Sequence, residues 1–114
     1  MGSRERIDTI RSQLRLPVVA APMFLVSGPE LVLAACRSGI MGSFPAPNAR
    51  SIDILDEWMA RISRELKTPH EGGTRLWAQN LVVHQTYERL QQELELVARY
   101  RPPVVVTALG SPRD

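Results

Sequence analysis

Two short stretches carry residue types that can do chemistry. In PVVAAPMF, Pro17 to Phe24, an apolar run stops on Ala21, Pro22 and Met23. Pro22 fixes φ and withholds an N–H, while Met23 offers a polarizable side chain and a free backbone amide. Such a corner suits a flat aromatic ligand laid against it; it equally suits a strand stop with a methionine filling core. In WAQNLVVH, Trp77 to His84, Asn80 stands inside an apolar run. A buried amide must find hydrogen-bond partners. Its carboxamide can read a carbonyl and an N–H of a ligand together, or tie down a neighbouring loop. Gly42 and Gly110 permit close backbone approach near strand ends, and glycine there also serves plain turns.

The remaining reactive types are less eloquent. His70 and His84 have no Ser, Cys or carboxylate at triad spacing, and both read as solvated loop histidines. Cys36 is the sole cysteine, so no internal disulfide forms, and no Cys/His cluster has metal spacing. In LAACRSG it reads as a small buried hydrophobe. No GxGxxG or phosphate-loop spacing is present. The sequence assigns no catalytic residue and no metal ligand.

Four apolar runs can position the two stretches. They begin near residues 17, 39, 75 and 102. The first and last are nearly continuous in Val, Ala and Leu, as in parallel strands buried on both faces. Helical patterns separate them. Ser27 and Glu30 have capping-box spacing, with Pro29 in the first turn and Gly39 at the far end. A second pattern begins near Ser51 and carries Ile54, Trp58, Ile62 and Leu66 on one face, widened by Leu55 and Met59. A third holds Tyr87, Leu90, Leu94 and Val97. An N-terminal helix at about 4–15 puts Ile7, Ile10 and Leu14 on one side. Alternating α and β implies parallel strands joined by right-handed crossovers. The expected class is α/β, with about four parallel strands in one domain over 1–114. In a barrel or an open parallel sheet alike, ligands sit at the carboxyl ends of the strands.

Composition narrows the function. Hydrophobic residues make up 44% and charged residues 23%, which excludes a disordered chain. The 14 Lys and Arg are interspersed with 12 Asp and Glu, and no basic stripe of the kind nucleic acid needs is present. No apolar run approaches the ~20 residues that cross a bilayer. The N-terminus lacks an apolar signal core, so a cytoplasmic location is expected.

PVVAAPMFLVSGPELVLAACRSGIMGSFPA resembles the opening of the nitronate monooxygenase family, formerly 2-nitropropane dioxygenases. WAQNLVVH and PPVVVTALGSP resemble that family's third and fourth strands, so the likeness spans residues 15–112. It implies the first half of an FMN-dependent (β/α)₈ barrel, incomplete on its own. By the resemblance, Ala21, Pro22 and Met23 lie along the isoalloxazine ring, Asn80 hydrogen-bonds the flavin, and Gly42 and Gly110 line the same mouth. The implied reaction oxidises an alkyl nitronate with O₂. The family's catalytic histidine and glycine-rich phosphate loops lie beyond Asp114, so the 114-residue chain by itself is expected to be inactive. Flavin barrels that reduce enoyl-acyl-carrier-protein with NAD(P)H share this opening and supply an alternative. A small non-catalytic α/β binding module, self-associating through open sheet edges, is another.

Overall fold

The computed structural model describes residues 2–68 and 70–110. It is a mixed α/β fold with a three-stranded parallel sheet and intervening helices. In chain order the elements are α1 (Ser3–Ser12), α2 (Pro29–Arg37), β1 (Gly42–Pro45), a single 3-10 turn (Ala46–Asn48), α3 (Ile52–Glu65), β2 (Trp77–Val82), α4 (Leu90–Tyr100) and β3 (Val104–Ala108). The strands lie in the order β1-β2-β3. Gly42 pairs with Trp77 and Pro45 with Asn80; Asn80 in turn pairs with Val106.

The expected first strand, 17–23, is reduced to one parallel bridge between Val19 and Met41. Ala20 N donates to Met41 O, and Met41 N donates to Val18 O. Pro17 and Pro22 bracket the segment and lack N–H groups, so it cannot extend a ladder in either direction. Burial on both faces is likewise corrected for the outer strands. Val18 and Val19 are exposed, as are Val105 and Val106 of β3. β1 and β2 are buried along nearly their whole length, so the exposure falls on β3 and on the segment outside β1. Edge elements have a neighbour on one side only, and no helix follows β3 among the described residues.

The sheet's two faces differ. On the helix side, Phe44, Trp77 and Leu81 pack with Val32 and Leu33 of α2, Leu55, Met59 and Ile62 of α3, and Leu96 of α4. Phe44 stacks on Trp77 with ring centroids 6.2 Å apart and meets Trp58 edge-on at 5.6 Å. On the opposite face, Met41, Leu76 and Ala78 pack with Val104, Ile10 and Leu14. Thus α1 and the turn after it cover the amino-terminal half of that face. Ile7, expected on the same side, is exposed.

Local signals account for most boundaries. Ser51 caps α3, its Oγ accepting from Ile54 N. Pro29 opens α2, and Gly39 follows its last turn. The Ser27–Glu30 capping box is a correction: Gly28 is the capping residue, and the Ser27 hydroxyl accepts from Met23 N. The α4 stripe is also corrected. The helix starts at Leu90, leaving Tyr87 outside it; Glu93 and Leu96 face inward, and Leu94 is exposed. Asp56 of α3 ties this helix down by accepting from Tyr100 Oη and pairing with Arg99 at 3.2 Å.

Candidate functional site

The site builds up from the strand register. Side chains alternate along β2, so Trp77, Gln79 and Leu81 face the helices while Ala78 and Asn80 face the other side. Asn80 lies toward the carboxyl end, beyond the part that Ile10 and Leu14 cover. It is buried, and its Nδ2 donates to Val106 O at 3.0 Å. The amide therefore ties β2 to β3. Its Oδ1 takes no hydrogen bond among the described residues.

The corner at Ala21, Pro22 and Met23 reaches the same rim. Pro45, the register partner of Asn80, ends β1 at that rim, and the single bridge Val19–Met41 holds the segment leading to the corner alongside β1. A second tie is independent of register: Asn48, three residues past Pro45, donates from Nδ2 to Met23 O at 2.9 Å. Ser43 Oγ also donates to Ala20 O at 2.5 Å, pinning the approach to the corner against β1. The corner and the amide are thus brought to one end of one parallel sheet. Pro22 is half-buried, and Ala21 and Met23 are exposed.

The two glycines stand apart from each other. Gly42 opens β1 rather than ending it. A Cβ there would lie 2.6 Å from Val32 O and 2.8 Å from Val32 Cα, so the residue is small because β1 presses on α2. Gly110 follows β3 at the carboxyl rim, where a Cβ would meet Val83 O at 2.6 Å. Both positions are explained by close backbone approach.

His84 and His70 are exposed. His84 Nδ1 accepts from Thr86 N at 3.2 Å and lies 2.8 Å from Thr86 Oγ1, which places the ring proton on Nε2. His70 borders a cavity of about 250 Å³ at the amino end of β2, with Arg37, Glu65 and Arg75. There Arg61 and Arg37 hold the Glu65 carboxyl below the usual carboxylate range, Arg61 contributing most. Those charges answer one another at the end of the sheet opposite the corner. Cys36 is buried, its Sγ donating to Leu76 O, and burial pushes the thiol pKa up. It is an inert core residue. Among the described residues no three His, Cys, Asp or Glu side chains gather to hold a metal, and no helix is long and apolar enough to cross a membrane.

Two features of the rim escaped the sequence reading. One is Asn48, foreshadowed only by an asparagine after PAP just past a strand. The other is a buried polar cluster below the rim. Tyr87 Oη donates to Glu93 Oε2, Arg89 Nε lies 3.3 Å from the same oxygen, and Arg89 Nη1 donates to Ala49 O at 2.8 Å. The cluster clips the segment before α4 to the turn after β1. Burial raises the Glu93 carboxyl pKa, against the pull of Tyr87 and Arg89, and raises the Tyr87 phenol. The Arg89–Glu93 spacing was a visible i,i+4 pair, but nothing in it announced burial.

No family model matches the chain, no curated protein matches it, and no solved structure does.

Proposed function

We propose that this chain forms the ring-binding part of an FMN site, in the first half of a (β/α)₈ flavin barrel of the nitronate monooxygenase type. The observation that carries the reading is the shared rim of Asn80 and the Pro22–Met23 corner. The residues suit a flavin ring. Asn80 Oδ1 is an acceptor for a ring N–H, and its Nδ2 is held by Val106 O, so the amide's orientation is set before any ligand arrives. Val106, its register partner, supplies apolar surface beside it, and Met23 exposes apolar surface at the corner. Bound FMN would supply the redox chemistry between an alkyl nitronate and O₂. The chain's own part is to orient the ring through Asn80, to offer the apolar surfaces of Met23 and Val106 to it, and to keep the corner rigid. No proton-transfer step is assigned to His84 or His70, which lack an orienting third group.

Titration of the purified chain with FMN, followed by flavin fluorescence, tests this. The expected result is weak, saturable quenching that Asn80→Ala abolishes, with no nitrite released from an added nitronate. The absence of saturable quenching sinks the flavin reading. Nanomolar affinity with nitrite release would overturn the assignment of this chain to the ring-binding part alone. The NAD(P)H-dependent enoyl reductase alternative separates on electron donor, since the longer protein would then oxidise NAD(P)H and ignore nitronates.

A second reading is favoured by the sheet's edges. Val18 and Val19 on the segment beside β1, and Val105 and Val106 on β3, are exposed apolar residues with no further strand outside them among the described residues. A non-catalytic module that self-associates edge to edge would cover them. Its test is the solution mass across a concentration series.

A further inference from the structure

Between Met23 and Ser27 the chain reverses tightly, and polar contacts alone set its shape. Met23 N donates to Ser27 Oγ at 2.8 Å, and Ser27 N donates to Met23 O at 3.0 Å. Leu25 N donates to Asn48 Oδ1 at 3.0 Å; Asn48 Nδ2 donates to Met23 O at 2.9 Å and to Ser27 O at 2.8 Å. Two carbonyls on one side and an N–H on the other fix which way the carboxamide points. Leu25 sits at φ +65°, a left-handed conformation that is unfavourable for a residue bearing a side chain. Phe24, Leu25 and Val26 are 68%, 73% and 67% exposed, so apolar burial does not offset that cost. A loop with this composition would ordinarily fold its side chains inward or sample many shapes. This one is held strained, with its apolar tip outward, next to the corner.

We infer that Asn48 is a positioning residue that preforms the corner for its ligand. All three of its side-chain hydrogen bonds go to the loop, and it ends the 3-10 turn that follows β1 at the rim. The ordering cost of residues 23–27 is met in the free protein, so a ligand that touches Met23 does not bear it. Asparagine is specific to the task. An aspartate keeps the acceptor for Leu25 N but turns a carboxylate oxygen on two carbonyls. The ligand's identity rests on the flavin reading above; the latch itself does not.

The experiment uses the full chain with Asn48→Ala, Asn48→Asp and Ser27→Ala. Amide hydrogen exchange is read at Leu25 and Ser27 against core amides at Ile62 and Leu81, and FMN affinity by fluorescence quenching. Asn48→Ala removes three hydrogen bonds to the loop and is expected to speed Leu25 exchange by roughly tenfold or more. It should weaken FMN binding by a similar factor while core exchange stays at the wild-type rate, and Asn48→Asp should be at least as severe. Ser27→Ala, which removes one bond, should fall between. Unchanged Leu25 exchange, or a core amide rate that rises in step with it, overturns the inference by making Asn48 idle or merely structural. Wild-type FMN affinity in Asn48→Ala with a loosened loop overturns it as well. If the wild-type chain binds no FMN, the flavin reading falls and the exchange measurement alone decides the latch.

Discussion

Asn80 and Val106 are register partners across β2 and β3, and the Asn80 side chain adds a bond of its own to the Val106 carbonyl at 3.0 Å. One amide therefore staples the edge strand and presents its remaining oxygen at the rim. The ligand-binding and loop-tying roles open to it in the sequence are compatible, because they use different atoms. Asn80→Ala is expected to cost about 1 kcal/mol of folding stability, and Asn80→Asp more, since a carboxylate would then face a carbonyl oxygen. Urea midpoints of the three proteins check this. Equal midpoints would show that the staple contributes nothing.

A pH dependence follows from Glu93. Its side chain is fully buried and its carboxyl is raised above the ordinary value, burial being the main cause. The folded state thus binds that proton more readily than the unfolded state, whose carboxyl titrates near pH 4.3. The group's contribution is most favourable at low pH. It falls as pH rises from the ordinary carboxyl value through the raised one, then levels off. Glu93→Gln removes this term while keeping the side chain's size. Stability measured for both proteins between about pH 4 and pH 8 should show wild type losing ground against the variant as pH rises. Parallel curves would mean that Glu93 titrates normally in the folded protein.

Gly42 separates packing from ligand contact. A Cβ added there meets the Val32 backbone at 2.6–2.8 Å, and backbone cannot step aside as a flexible side chain does. Gly42→Ala is expected to destabilise the fold by about 1–3 kcal/mol, the usual cost of overpacking. Thinning the Val32 side chain should not rescue it. Thermal melts of Gly42→Ala with and without Val32→Ala decide the matter. A neutral Gly42→Ala would return the glycine to a role at the mouth.

How much of this was legible in the sequence depended on how local each cause was. Ser51, Pro29 and Gly39 mark helix ends through bonds within a few residues, and those boundaries were readable. The parallel order followed from the alternation of helix and strand. Burial was not readable wherever it hinged on a neighbour. VVVTA in β3 is written as a core strand, yet it has β2 on one side and nothing described on the other. The α4 stripe was half readable. Leu90 and Val97 do pack against the core, but Leu94 is exposed, and Glu93, held by Tyr87 and Arg89, is buried. Of the candidate site, the residue types of Asn80 and Pro22–Met23 were readable, and the strand register was not. Nor was Asn48, because its partners lie 21 to 25 residues away in sequence. Ser27 was misread because a hydroxyl before a helix has two nearby donors to choose from, and here Met23 N wins.

The two edges make the last prediction. A strand edge offers unpaired N–H and C=O groups, and natural edges are usually blunted by charge, by proline or by a cover. The Val18–Val19 edge is partly blunted, since Pro17 and Pro22 flank it. The β3 edge carries Val105 and Val106 with no charge between Val104 and Ala108. Pairing should therefore start at β3, and a lysine there should act more strongly than one at Val18. Val105→Lys is expected to reduce self-association seen by sedentation-equilibrium or light-scattering mass at high protein concentration, and Val18→Lys to reduce it less. Val105 pairs in register with Gln79 and is already exposed, so the substitution should leave the melting midpoint nearly unchanged. A wild-type chain that stays monomeric at every concentration would show that the β3 edge is protected by something other than its sequence, and would remove the support for the self-associating reading.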